Sequence, residues 1–150
     1  MDSIEIKLKV IEACRKKLLE SISNLESVIA DAQQQANDYG PPRDRYDAFR
    51  SQLLRRKDMM AQQLEKEMVE LKTLEKIEVQ KPTGVAGFGT LVMTTNQNYF
   101  ISIGIGKMEC EGFEFYAISP LVPLSQAVNG KKNGDTVDFR GNKFVIREVI

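Results

Sequence analysis

Histidine and tryptophan are missing from this chain of 150 residues, and cysteine occurs only twice. The lack of histidine removes the commonest general base near neutral pH and the commonest metal ligand. Any catalysis would fall to carboxylates, lysine, tyrosine, cysteine or a bound metal. Cys14 and Cys110 are too few and too far apart for a disulfide framework or a zinc site, so two free thiols in a reducing compartment are expected. No run approaches the roughly 20 apolar residues of a membrane span. The first residues carry Asp2, Glu5, Lys7 and Lys9 without an apolar leader segment, which predicts a cytoplasmic protein with no membrane contact. Net charge is missing too, since 21 basic side chains meet 21 acidic ones. The balance holds on both sides of residue 77, with 14 of each sign before it and 7 of each after it, so the total implies no general affinity for polyanions. The local exception runs from Arg43 to Lys57, where Arg43, Arg45, Arg50, Arg55, Arg56 and Lys57 outnumber Asp44 and Asp47.

What is present is periodicity. Ile4, Leu8, Ile11, Leu18, Ile22, Leu25, Ile29, Ala32 and Ala36 recur in alternating steps of four and three, with Arg15 as the polar member of the row. That is the spacing of a coiled-coil seam. Gly40-Pro41-Pro42 ends it, because proline cannot continue the ladder and pushes the residue before it out of the α region. A second row follows through Tyr46, Phe49, Leu53, Met60, Leu64, Met68, Leu71 and Leu74, with Arg56 on the seam and a shift of register after Met60. Asp44 is placed to cap the start of the second helix. Two helices of similar length joined by a short turn predict an antiparallel coiled-coil hairpin over residues 1–78, its tip at about 37–45. Helices paired between two chains are the alternative.

From residue 79 the composition changes. Residues 79–84 read as a linker around Lys81-Pro82-Thr83-Gly84. Beyond them, over residues 85–150, β-branched and aromatic residues predict strands at 88–95, 99–105 and 113–118. A closing hairpin of 135–140 and 143–150 is expected to turn at Gly141-Asn142. Between them, Ser119 as cap, Pro120 as first helical residue and Asn129-Gly130 as stop predict one short helix. The fold class expected is α+β: a helical hairpin followed by a small antiparallel sheet with one helix. The glycine-rich "GFGT" and "GIGKM" lack the context of a phosphate loop and are read as strand bends or bulges.

Near the end stand Ser119, Pro120 and Leu121, then Ala127 and Val128, then Gly130, Lys131, Lys132, Gly134 and Asp135. In this order, after a long helical hairpin, the parts resemble the Gre-type transcript-cleavage factors of bacterial RNA polymerase, a class of DNA-binding transcription elongation factors. The spacer between Ser-Pro and Gly-Lys-Lys is about three residues longer here, and Pro123 interrupts it. The resemblance implies an FK506-binding-protein-like domain that docks beside the polymerase secondary channel, with Ser119, Pro120, Leu121, Lys131 and Lys132 as docking candidates. It also implies a hairpin that reaches down the channel. A prolyl isomerase is not expected, since an aromatic-lined apolar pocket is not evident and fold alone does not carry activity.

The family's tip reads approximately Gly-Asp-Leu-Ser-Glu-Asn-x-Glu-Tyr, and its first Asp and the next Glu help hold a second Mg²⁺ in the polymerase active site. Phosphodiester hydrolysis by two metals needs that second hard cation, and Mg²⁺ is often held by one or two carboxylates. Here Asn37-Asp38-Tyr39 matches the start, Asp38 falls on the first acid, and Pro41 falls on the second. Asp44 is the nearest substitute. Asp38 and Asp44 are thus the candidate Mg²⁺-holding acids, with turn, cap and solvation roles as the alternative. Arg55, Arg56 and Lys57 are candidates for contact with the nascent RNA backbone, against a plain solvated helix face. Tyr39 and Tyr46 stack on a base or brace the tip. The chain is expected to be a monomer that binds RNA polymerase, with nascent RNA a partner within that complex. It is expected to have no enzymatic activity beyond stimulating polymerase's own nuclease, and no cofactor in isolation beyond Mg²⁺ shared with polymerase. Assisted transcript cleavage and non-cleaving inhibition or regulation both stay open. A coiled-coil adaptor is the rival from another class.

Overall fold

The computed structural model describes residues 3–38, 47–79 and 84–150. Residues 39–46, which hold the expected tip beyond Asp38 with Tyr39, Pro41, Asp44 and Tyr46, and the core of the expected linker at 80–83 lie outside the described residues. Two long helices come first, α1 (Ser3–Asp38) and α2 (Asp47–Glu75). Neither contains glycine or proline, so nothing interrupts the backbone ladder. Among the described residues no helix is long and apolar enough to cross a membrane. Six strands and a short helix follow: β1 (Leu91–Thr94), β2 (Asn98–Ile101), β3 (Gly106–Cys110), β4 (Phe113–Ile118), α3 (Pro123–Val128), β5 (Thr136–Phe139) and β6 (Asn142–Val149). The fold is α+β, as the sequence predicts. The residues form two compact units, Lys17–Leu71 on one side and Met1–Lys16 with Lys72–Ile150 on the other.

In the helical unit, Leu18, Ile22, Ala32 and Ala36 of α1 are buried. Ser21 Oγ donates to Glu67 Oε1 at 2.6 Å, and Lys57 Nζ donates to Gln33 Oε1 at 2.8 Å. Early positions on α1 meet late positions on α2 and the reverse, so the pair is antiparallel. The seam of α2 differs from the predicted row. The half-buried or buried positions include Arg50, Leu53, Lys57, Met60, Leu64, Glu67, Leu71 and Leu74, an unbroken alternation of threes and fours. Phe49, Arg56 and Met68, placed on the seam by the sequence, are exposed. The shift of register after Met60 was an artefact of following apolar side chains only. The true seam passes through three polar residues.

In the other unit the strands lie in the order β3-β4-β2-β1-β6-β5. The predicted antiparallel sheet is in fact mixed, because β2 and β4 run parallel. Residues 102–105 carry the chain from β2 to the edge, and the β3–β4 hairpin returns β4 between β3 and β2. The sequence missed β3: it is an edge strand paired only with β4, so most of its side chains stay in water and give no apolar signal. Two turns have positive φ at both central residues, Glu111-Gly112 before β4 and Arg140-Gly141 before β6. Such turns match the twist of a hairpin, and the second places the reversal one residue before the predicted Gly141-Asn142. The strand expected at 88–95 begins at Leu91, since Gly89, at φ +84°, and Thr90 belong to a turn.

One sheet face packs Val92, Ile101, Val137, Phe144, Ile146 and Val149 under Val128 of α3. The alternation of β1, β2 and β4 turns Leu91, Phe100 and Phe115 to the other face, where all three are fully buried. Phe100 and Phe115 meet edge to face with centroids 6.4 Å apart. The helix ends in this unit contribute Val10, Cys14 and Leu74 to its buried set. Lys9 of α1 pairs with Glu111 at 2.6 Å, and Ser3 Oγ donates to Glu148 Oε1 at 2.8 Å. Here the buried side of α1 runs through Lys7, Val10, Ile11 and Cys14, while Leu8, a predicted seam residue, is exposed.

Candidate functional site

Three groups of side chains were singled out by the sequence, and they occupy separate places. Asp38 is the last residue of α1 and is exposed; its Oδ1 accepts from Gln34 Nε2 at 2.9 Å, one turn back. Asp44 lies outside the described residues. Among the described residues no group of three or more acids, cysteines or histidines is placed to hold a metal ion. Asp38 is the one of the two candidate acids that the structure describes.

The basic cluster does not form one patch. Consecutive helical residues point about 100° apart, so three in a row cannot share a face. Arg55 is exposed. Arg56 is exposed and borders a groove of about 210 Å³ with Asp31, Gln35 and Met60. Lys57 turns to the other helix and holds Gln33. Arg50, outside the predicted cluster, keeps its Nε buried with no hydrogen-bond partner among the described residues.

The third group flanks α3. The predicted helix start at Ser119 and Pro120 is corrected to Pro123, with Val122 as the cap residue at φ −70° and ψ 152°. A helix capped by Ser119 would need the N–H of residue 123 to bond the Ser119 carbonyl, and proline has none. Ser119 O instead accepts from the Ser125 hydroxyl at 2.6 Å and from Val122 N–H at 3.3 Å. Ser119 Oγ accepts from Leu121 N–H at 3.2 Å, so residues 119–122 form a turn that displays Pro120 and Leu121. Leu121 is 79% exposed, a large apolar side chain held in water. At the far end, Gly130 N–H donates to Ala86 O at 2.8 Å, and Asp135 Oδ2 accepts from Lys132 N–H at 2.8 Å. The first ties the turn to the 85–90 segment and the second closes it, Gly134 N–H donates to Ile146 O of β6 at 2.7 Å, and the Lys131 and Lys132 side chains stay exposed. The six residues of α3 span about 9 Å, so the two exposed segments bracket one short helix.

Sequence reasoning missed a fourth feature, the burial of Lys7 beside a cavity of about 720 Å³. A signal existed: Lys7, Val10 and Cys14 share helical spacing, but a lysine is not counted in an apolar row.

No protein-family model matches the chain, and no curated protein does. Among solved structures it is similar to the GreA factor homolog 1 (Gfh1) protein of Thermus thermophilus, at 14% identity and a TM-score of 0.34, over 93% of this chain and 94% of that one.

Proposed function

We propose that this protein is an RNA-polymerase-binding regulator of the Gre kind, which docks through the flanks of α3 and presents the end of its helical hairpin to the secondary channel. The observation that carries this reading is one conjunction. An antiparallel helix pair precedes a sheet unit in which Pro120 and Leu121, and Lys131 and Lys132, stand exposed at the two ends of α3, with Ser119 half-buried. These are the segments on which the sequence resemblance rests. An exposed apolar anchor beside two ammonium groups suits an acidic-rimmed apolar patch on a partner.

The tip chemistry favours modulation over cleavage. Asp38 supplies one acid, and Pro41 stands where the family carries the second. The chain supplies no nuclease of its own in this reading, and any hydrolysis belongs to polymerase. The test is retention by RNA polymerase together with transcript cleavage by stalled complexes. Retention without added cleavage supports the regulator. Cleavage that is lost in Asp38→Ala with Asp44→Ala would assign the acids to catalysis instead, and absence of retention overturns the reading.

A second reading rests on Met59, Met68 and Val69 of α2, which are 71%, 49% and 56% exposed. Exposed apolar side chains on a long helix suit pairing between chains, as in a coiled-coil adaptor. Solution mass separates the two: a stable dimer without polymerase favours the adaptor.

A further inference from the structure

The cavity beside Lys7 lies wholly within the sheet unit and does not involve the residues proposed to meet polymerase. Its volume of about 720 Å³ falls in the range of small-molecule pockets. Lys7 comes from α1, Lys76, Ile77 and Glu78 follow α2, the 85–90 segment forms another wall, and Ile150 closes one side. The walls are fixed by the sheet. Gly89 N–H donates to Ile101 O at 2.7 Å, and Leu91 and Ile150 exchange two backbone hydrogen bonds at 3.0 Å. Gly89 sits at φ +84°, and a Cβ there would meet Ile77 at 3.4 Å, so the loop approaches the end of the helix closely.

Lys7 is the unusual element. It is 4% exposed and, among the described residues, its ammonium has no hydrogen bond or ion pair. Glu78 lines the same cavity without pairing with it. The Thr90 hydroxyl is already engaged, accepting from Gly87 N–H at 3.0 Å and donating to Gly87 O at 2.7 Å. The Lys7 stem is covered, and its ammonium, which is not among the fully buried atoms left without a partner, borders the cavity, where an incoming anion would pair with it. Burial also pushes the Lys7 pKa below the ordinary lysine value, as it does for a cation with nothing to balance it.

We propose that this cavity binds a small amphiphilic anion, its carboxylate or phosphate head on Lys7 and its apolar body against Ile77, Phe88 and Ile150. Lys76 stands at the exposed rim and adds a second positive charge. The proposal is independent of the polymerase reading.

Calorimetric titration of the full chain with octanoate, octyl phosphate and octan-1-ol tests it. One saturable site is expected, with at least one anion binding about tenfold or more tighter than the alcohol, the worth of one charge-assisted hydrogen bond. Whichever anion is preferred identifies the head group. Lys7→Met should erase that preference, and Lys7→Arg should keep most of it. On the unmodified chain, the ¹³Cε titration of Lys7 should move upward in pH when the anion is added, a readout that needs no variant. Equal binding of anion and alcohol, an unshifted Lys7 titration, or no saturable binding overturns the proposal.

Discussion

Lys7 also makes a prediction about stability. Burial lowers its pKa below 10.5, so between the folded and the unfolded pKa the native chain binds fewer protons than the unfolded one. The penalty on folding is therefore complete below the folded pKa and fades as pH rises through it towards 10.5. Without added anion, Lys7→Met should raise Tm at neutral pH and lose this advantage in alkaline buffer, which thermal melts across pH would show. Phe100 is a simpler residue: fully buried and edge-on to Phe115, it has no polar duty. Phe100→Ala is expected to cost about 3–5 kcal/mol, read by urea denaturation. Both residues differ in how well the sequence announces them. Phe100 sits in an apolar strand and declares its burial. Lys7 has the wrong chemistry for its place: its spacing with Val10 and Cys14 marks the buried side of α1, but the segments that cover it are not readable from that spacing.

At the scale of elements, the helical hairpin depends on polar residues in its seam. Glu67 accepts from Ser21 through one oxygen and leaves the other, Oε2, buried without a partner among the described residues. Ser21→Ala would strand the remaining oxygen and is expected to destabilise the helical unit by about 1–3 kcal/mol, measured by circular dichroism in urea. Glu67→Leu should instead stabilise it, since replacing buried ionic groups by apolar ones is often favourable. Polar seam residues such as Lys57 and Glu67 fix register, and their cross-helix bonds tie residue 33 to 57 and 21 to 67. The α1 row was legible because leucine, isoleucine and alanine carry it. The α2 seam was misread at Phe49, Arg56 and Met68 because its periodicity is kept by Arg50, Lys57 and Glu67, polar residues whose stems are covered against the other helix. Helix α3 is a case where the rule was in the sequence and was applied one turn early. Pro123 lacks the N–H that a start at Ser119 requires.

At the scale of the molecule, the residues proposed to dock and Asp38 belong to different compact units, so their variants should separate. If polymerase is the partner, Lys131→Glu with Lys132→Glu should weaken retention by roughly tenfold and flatten its salt dependence, as loss of rim charges does. Asp38→Ala should leave retention intact. Retention assays across a salt series check both, and loss of binding in Asp38→Ala would place the docking surface at the wrong end of the chain.

The sequence by itself determined the two long helices, the change to strands near residue 85, and the lack of histidine chemistry. These follow from local rules: apolar period and composition. Tertiary structure alone decided the parallel pairing of β2 with β4, the polar seam of α2, the display of Leu121 and the burial of Lys7. Each depends on which segment arrives beside another from far along the chain, and neither period nor propensity encodes that neighbour.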